Sequence, residues 1–175
     1  MKTCHSNKAD VRQCKILGHE LPGEKGTYVL ILSLSRAQRL RIGSLGTFSF
    51  QRGFYAYAGS AFGPGGLRAR LAHHQSSSSR CHWHIDYLRK KAIPKEVWYT
   101  IIEQRLECEW AAVIQEMPFV SPSVKGFGVS DCDCKTHLFF SEVKPSVRAF
   151  KKCVDLMLPY FHRSTNSRQS SPHSI

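Results

Sequence analysis

Acidic residues all but vanish from one long stretch of this chain. From Arg36 to Lys95 there is a single one, Asp86, against eleven lysines and arginines, so eleven minus one leaves a local charge of +10. A segment that basic is a poor partner for cationic ligands and points to an anionic one. No apolar run reaches the roughly 18 to 20 residues of a membrane-spanning helix, which leaves no membrane role to expect. There is no leader of basic, apolar and small residues at the start, and seven cysteines is an odd number. Both features lead us to expect a cytoplasmic chain with reduced thiols, whose cysteines serve metal binding or packing rather than a disulfide framework. No internal repeat is visible. The glycine-rich loop Gly59–Gly66 lacks the Gly-Lys-Ser/Thr ending of a nucleotide-binding P-loop, so a nucleoside triphosphate is not the expected ligand.

What is present fits one domain with tails. The chain has 175 residues, enough to bury a core, and an ordinary 42% hydrophobic content. Its net charge of +12 is not ordinary and suggests a polyanionic partner. The stretch from Glu96 to Glu142 reverses the sign, with three basic residues against eight acidic ones, a balance of −5. A phosphate-binding surface beside a metal-binding edge would have this charge pattern. Solvated surface charge, clustered by chance, is the alternative.

Residues 1–20 read as a flexible lead-in, 21–142 as the folded domain, 143–163 as a basic amphipathic helix and 164–175 as a disordered tail. Within the domain, Thr27–Leu34 (TYVLILSL) is a continuous β-rich apolar run and predicts a central strand buried on both faces. Arg39–Ile42 alternates charged and apolar residues and is expected to be its hairpin partner. Phe48–Ala58 supplies a further strand or two, bent at Gly53. Helices are expected from Gly66 to Gln75, from His82 to Lys91 (stopped by Pro94) and from Glu107 to Glu116, with strands at Val97–Ile102 and His137–Phe140. After Pro145, Val147, Phe150, Val154, Leu158 and Phe161 recur at helical spacing, opposite Arg148, Lys151 and Lys152. The fold class is therefore α+β, a small and mainly antiparallel sheet flanked by helices.

The most informative segment is Phe54–His74, FYAYAGSAFGPGGLRARLAHH. It reads as strand, glycine-rich loop and basic helix. A helix start carries free N–H groups that favour an anion, and Arg68 and Arg70 follow where arginine suits phosphate better than it suits the helix dipole. A phosphodiester is the expected ligand.

Gly26-Thr27-Tyr28 and Tyr57-Ala58-Gly59 resemble the two tripeptides that name the GIY-YIG nuclease superfamily. The stretches IGSLG, YAGSAFGPGGLRARLAHH, HWHIDYL, LECEWA and GFGVSDCDCKTHLFF resemble, more closely, a GIY-YIG-related family that is sometimes fused to an endonuclease-III-type DNA glycosylase. The resemblance covers about residues 21–140. It implies a GIY-YIG-like fold and a metal-dependent endonuclease that hydrolyses DNA phosphodiesters, in a repair setting and with a repair-enzyme partner; RNA remains an alternative substrate. By position it implies Tyr28 and Tyr57 as active-site phenols, one close to the attacking water. Arg70 would meet the scissile phosphate, His74 would take the place of a further Tyr or His, and Glu107 would hold Mg²⁺ or Mn²⁺. Ser60, Arg68, Arg80, Lys90 and Lys91 would extend the nucleic-acid contact. The chemistry suits these types: a guanidinium and a hard cation neutralise phosphoryl oxygens, and Mg²⁺ takes oxygen ligands. The duller readings are a strand tyrosine packed in the core and a glutamate that complements a helix dipole.

Three departures stand out. Thr27 and Ala58 replace isoleucine in the tripeptides. The Arg36–Phe50 segment between them must loop out. The superfamily's asparagine after the glutamate helix has no counterpart, since the only asparagines are Asn7 and Asn166; Asp131 or His137 are the substitutes on hand. A non-catalytic nucleic-acid-binding module is the first alternative function.

A second cluster, Cys132-x-Cys134-x-x-His137, suggests a zinc site, with His82, His84, Asp86 and Cys108 elsewhere in the chain. Its spacing is shorter than the usual knuckle, and small buried thiols beside a polar loop are the competing account. A zinc- or thiol-dependent hydrolase, with Cys132 as nucleophile and His84 or His137 as base, is the remaining alternative.

Overall fold

The computed structural model describes residues 10–15, 21–76 and 81–166, with side chains described as far as Met157 except that of Lys15. In chain order the elements are β1 (Arg12–Lys15), β2 (Gly26–Leu34), β3 (Gln38–Ile42), β4 (Gly46–Phe50), β5 (Gly53–Ala61), α1 (Gly66–Gln75), α2 (His84–Arg89), β6 (Ile93–Thr100), α3 (Glu107–Gln115), β7 (Ser121–Pro122), β8 (Leu138–Ser141) and α4 (Val147–Asn166). The run TYVLILSL lies in the middle of an antiparallel sheet of order β1-β6-β2-β5-β8-β7. The fold is α+β, as the sequence leads one to expect.

Strand alternation divides β2 between two cores. Tyr28, Leu30, Leu32 and Leu34 face one core, shared with Leu67 and Leu71 of α1 and with Ile85 and Leu88 of α2. Val29 and Ile31 face the other, shared with Trp110, Ala111, Val113 and Ile114 of α3 and with Phe150 and Val154 of α4. Burying each such aliphatic side chain contributes about 1.5–3 kcal/mol, so β2 anchors both layers. Arg148, Lys151 and Lys152 lie exposed on the far side of α4, as its pattern predicts. The side chains of Leu158 and Phe161 lie outside the described residues.

The structure corrects several local readings. The hairpin partner of β3 is β4, and the pair forms a separate two-stranded sheet rather than extending β2. Both long edges of β2 are already taken by β5 and β6. Pro94 does not merely stop α2; it lies within β6, opposite Leu32 at a register shift, an irregularity of the kind that accommodates proline in a sheet. Within the stretch read as a lead-in, Arg12–Lys15 pair with β6 as an edge strand. Residues 1–9 and the tail from 167 lie outside the described residues. No helix among the described residues is long and apolar enough to cross a membrane.

Gly26 is held by neighbouring backbone. A Cβ there would lie 2.0 Å from the Thr100 carbonyl oxygen, so the strands meet this closely only at glycine. Gly26→Ala is expected to cost about 1–3 kcal/mol in urea-unfolding free energy, while Gly63→Ala, with nothing within 4 Å, should leave stability within about 0.5 kcal/mol of the parent. Equal stabilities for the two variants would contradict this account.

Candidate active site

Register explains why the two tyrosines meet. Tyr28 of β2 pairs with Gly59 of β5, and Leu30 pairs with Tyr57, so the two phenols are diagonal neighbours on one face. Their ring centroids lie 6.4 Å apart. Gly59 makes the room: a Cβ on it would come within 2.7 Å of the Tyr28 hydroxyl and 3.0 Å of the Tyr57 ring. Both phenols are buried, and both help line a cleft of about 220 Å³. Burial raises the Tyr28 pKa well above its ordinary value, and burial, with Arg70 pulling the other way, raises that of Tyr57 to about 12. Near neutral pH both are uncharged phenols.

Helices α1 and α2 supply the second wall. His74, buried near the end of α1, lies with Nε2 2.7 Å from the Tyr28 hydroxyl. Its Nδ1 lies 3.9 Å from the Asp86 carboxylate, too long for a hydrogen bond but with the charge on the right side for an Nδ1–H. We assign that tautomer, so the Tyr28 hydroxyl donates to Nε2. Burial lowers the His74 pKa to about 3, with the Asp86 charge opposing, and the ring is neutral.

Asp86 itself is 1% exposed. Its Oδ2 accepts the backbone N–H groups of His82 (2.9 Å) and Trp83 (3.0 Å), and its Oδ1 lies 3.1 Å from His73 Nε2 and 3.5 Å from Arg89 Nε. Burial alone would raise this carboxyl. The two N–H groups and the His73 ring more than offset it and hold it below its usual range. Arg89 ties the helices further by donating from Nη1 to the carbonyls of His74 and Ser76, each at 2.7 Å. Arg70 reaches the cleft with its guanidinium stacked on Trp83, 3.8 Å from the ring centroid.

The third wall is the start of α3. Thr27, the residue where the superfamily tripeptide has isoleucine, points away from the tyrosine face and accepts the Leu106 N–H on its Oγ1 at 3.0 Å. That bond pins the turn that presents Glu107. One carboxylate oxygen of Glu107 lies 3.6 Å from Arg105 Nη1; the other, Oε2, is buried without a hydrogen-bond partner among the described residues. A buried, unpartnered carboxylate oxygen on a cleft wall suits a hard cation that takes oxygen ligands. Arg105 also donates to Ser60 Oγ at 3.2 Å, which fixes a second guanidinium in the cleft.

Of the residues expected from the sequence, Tyr28, Tyr57, Arg70, Ser60 and Glu107 line one cleft, and His74 stands directly behind Tyr28. Asp131 and His137 also line it. Arg68 does not: its Nε donates to the Leu21 carbonyl at 2.9 Å on the outer side of α1. Lys90 and Lys91 follow α2 on the exposed surface and are not part of the cleft wall. Arg80 lies outside the described residues.

The phosphate cradle expected at the start of α1 does not form. The Gly66 N–H donates to Gly63, Leu67 to Glu24 and Arg68 to Pro22, so the first turn is satisfied by backbone carbonyls. Positive charge in the cleft comes instead from Arg70 and Arg105. Asp86 and Arg105 were not singled out for this site from the sequence. A lone acid inside a strongly basic stretch was the available signal for Asp86; for Arg105, two residues before Glu107, there was none.

The fold is thus an α+β domain with two phenols, two guanidiniums and a carboxylate oxygen without a hydrogen-bond partner among the described residues around one cleft. The chain matches the family described as Domain of unknown function DUF123 over residues 27–158, and belongs to it. No curated protein and no solved structure matches the chain at a significant level.

Two expectations follow for the site. The folded-state pKa of His74, about 3, lies below an unfolded value near 6.5, so the unfolded chain binds the extra proton and stability falls as pH drops through that interval. From pH 7 to pH 5 this group should remove about 2 kcal/mol of unfolding free energy. His84 and His137, also held down by burial, act in the same direction. Urea unfolding of His74→Gln at the two pH values should therefore show a slope smaller by about that amount; equal slopes would refute the assignment. Thr27→Val, which strands the buried Leu106 N–H, should lower stability by about 1–3 kcal/mol. Chemical denaturation would detect it, and an unchanged midpoint would show that the bond does not hold α3.

Proposed function

We propose that this protein is a divalent-metal-dependent endonuclease that hydrolyses phosphodiester bonds in DNA, as its resemblance to GIY-YIG nucleases implies. The observation that carries the reading is the convergence of Tyr28, Tyr57, Arg70 and Glu107, from four separate elements, on one cleft in which Glu107 Oε2 has no protein partner. Arg70 and Arg105 neutralise the phosphate and hold it against the tyrosine face. When bound at Glu107, Mg²⁺ or Mn²⁺ supplies further neutralisation of the phosphoryl oxygens and a more acidic water.

Tyr28 has its hydroxyl proton committed to His74, so its oxygen lone pairs are free to accept from a water in the cleft. As the water oxygen bonds to phosphorus and the P–O bond to the leaving group breaks, the water proton passes to Tyr28 Oη. The departing alkoxide takes a proton from solvent water, leaving a hydroxide that later removes the proton relayed through Tyr28. The Tyr28 proton moves on to His74 Nε2. Burial makes the resulting imidazolium costly, and the Asp86 carboxylate opposes that cost. Tyr57, neutral and at the same wall, donates to a phosphoryl oxygen. The basic stretch around α1 and α2 steers the polyanion toward the cleft.

A non-catalytic nucleic-acid-binding module is the second reading, favoured by the missing superfamily asparagine. Neither Asp131 nor His137 on the cleft wall reproduces its neutral amide.

Labelled single-stranded, duplex and branched DNA incubated with Mg²⁺, Mn²⁺ or EDTA separates the two. The nuclease reading expects metal-dependent cuts, reduced on the order of 10²-fold or more in Glu107→Gln and Arg70→Ala, with DNA binding retained by Glu107→Gln. Undiminished cleavage by both variants would sink it. Salt-sensitive binding without cleavage would establish the second reading.

A further inference from the structure

At the edge of the cleft, which Cys132 and His137 help to line, Cys108 of α3 meets Cys132, Cys134 and His137 of the loop that leads into β8. Their four donor atoms all lie within 4.8 Å of one another. His137 Nε2 is 3.5 Å from Cys132 Sγ and 3.9 Å from Cys108 Sγ. A tetrahedral zinc with Zn–S near 2.3 Å and Zn–N near 2.0–2.1 Å sets its donors roughly 3.5–3.8 Å apart, so the side chains are nearly in place. We propose that Cys108, Cys132, Cys134 and His137 bind one zinc ion, which fastens the 128–137 loop to the start of α3.

Three of the six described cysteines converge on one imidazole, and none of the six is in a disulfide. Thiols that served only as small core hydrophobes would be buried, whereas these three are partly exposed. The loop needs an anchor. Between Gly128 and Thr136 it has no helix or strand, and Asp131, Asp133 and Lys135 face solvent. Its backbone ties lie at its two ends, Gly126 N–H to the Lys135 carbonyl and His137 N–H to the Phe127 carbonyl, each at 2.8 Å. Cys108, 24 positions before Cys132, supplies the ligand that the short C-x-C-x-x-H motif lacks on its own.

Donor chemistry separates this ion from the one proposed at Glu107. Soft thiolates select zinc, while a lone carboxylate on a wet cleft suits a hard cation. Four protein ligands close the zinc shell, so the ion holds structure and offers no open position for a hydrolytic water. On binding, three thiol protons leave to solvent as three Zn–S bonds form and neutral His137 contributes the Zn–N bond, which leaves a centre of net charge −1. The loop forms one wall of the cleft through Gly128, Ser130 and Asp131, and Cys108 directly follows Glu107. Zinc at this point therefore fixes that wall and the adjoining Glu107 backbone together. The inference is independent of the nuclease reading, because metal content is measured without a cleavage assay.

The test uses the full chain, purified under reducing conditions without chelator and measured by elemental mass spectrometry. About one zinc per chain is expected, falling below about one tenth in Cys108→Ser and in Cys134→Ser, with Cys153→Ser unchanged. Should the serine variants fail to fold, cobalt titration of the unmodified, metal-stripped chain gives the same answer. It should develop the visible bands of a tetrahedral, thiolate-ligated ion with a one-to-one endpoint, and zinc should erase them. Metal removal should also speed amide-hydrogen exchange in residues 128–137 and in the first turn of α3. A folded, reduced chain that holds no zinc and gives no tetrahedral cobalt spectrum overturns the proposal, as does full zinc retention by Cys108→Ser. Recovery of iron in place of zinc would also overturn it.

Discussion

Adjacent side chains of a β-strand leave on opposite faces, and at Thr27–Tyr28 that constraint joins the two halves of the candidate site. Tyr28 points into the cleft and is held by His74. Thr27 points to the other layer and holds the turn that carries Glu107. One register of β2 thus sets both the phenol and the carboxylate, although their supporting helices pack on different cores. A slip by one residue would exchange the two faces and dismantle both contacts together. The pairing with β5 and β6 along nearly the whole strand is what prevents it.

Electrostatics in the cleft follow from depth. The two phenols and His74 lie deep and are neutral because burial penalises their charged forms. The guanidiniums of Arg70 and Arg105 lie nearer the opening and are steadied by a Trp83 face and a Ser60 hydroxyl. Asp86 is the exception, a charge kept deep by two backbone N–H groups and a histidine. The result is a floor of neutral phenols under a rim of mixed sign, in which Arg70 and Arg105 stand with the Glu107 and Asp131 carboxylates. That arrangement suits an anion that arrives with a cation.

Much of this was legible in the sequence. The uninterrupted TYVLILSL run identified the central strand, and the ordered tyrosines, arginine and glutamate identified residues that share a cleft. What escaped was decided by partners distant in sequence. The start of α1 has the local signs of an anion site, but Glu24 and Pro22 carbonyls, more than forty residues upstream, occupy its N–H groups. Strand β3 alternates like a sheet strand, yet β2 had no free edge to offer it. The replacement of isoleucine by Thr27 gives no local sign of its role, because its partner, Leu106, lies 79 residues away. Asp86 accepts the N–H groups at the start of its own helix, but its contact with His73 comes from the docking of α2 on α1.

The β3–β4 hairpin separates the two tyrosine-bearing strands and at first sight is an insertion that the sheet could do without. It packs on α2, and Ile42 and Phe50 are buried in the same core as Ile85 and Leu88. A Cβ on Gly43 would come within 3.2 Å of the Tyr87 hydroxyl, which shows how tightly the turn and the helix abut. The hairpin is therefore a buttress behind the helix that carries Asp86. A pared-down version of the domain that replaced residues 36–50 with a short turn would keep every cleft residue, yet remove the backing that presses α2 against α1. In engineering terms, the span between the two tripeptides is a foundation of the site rather than a spacer.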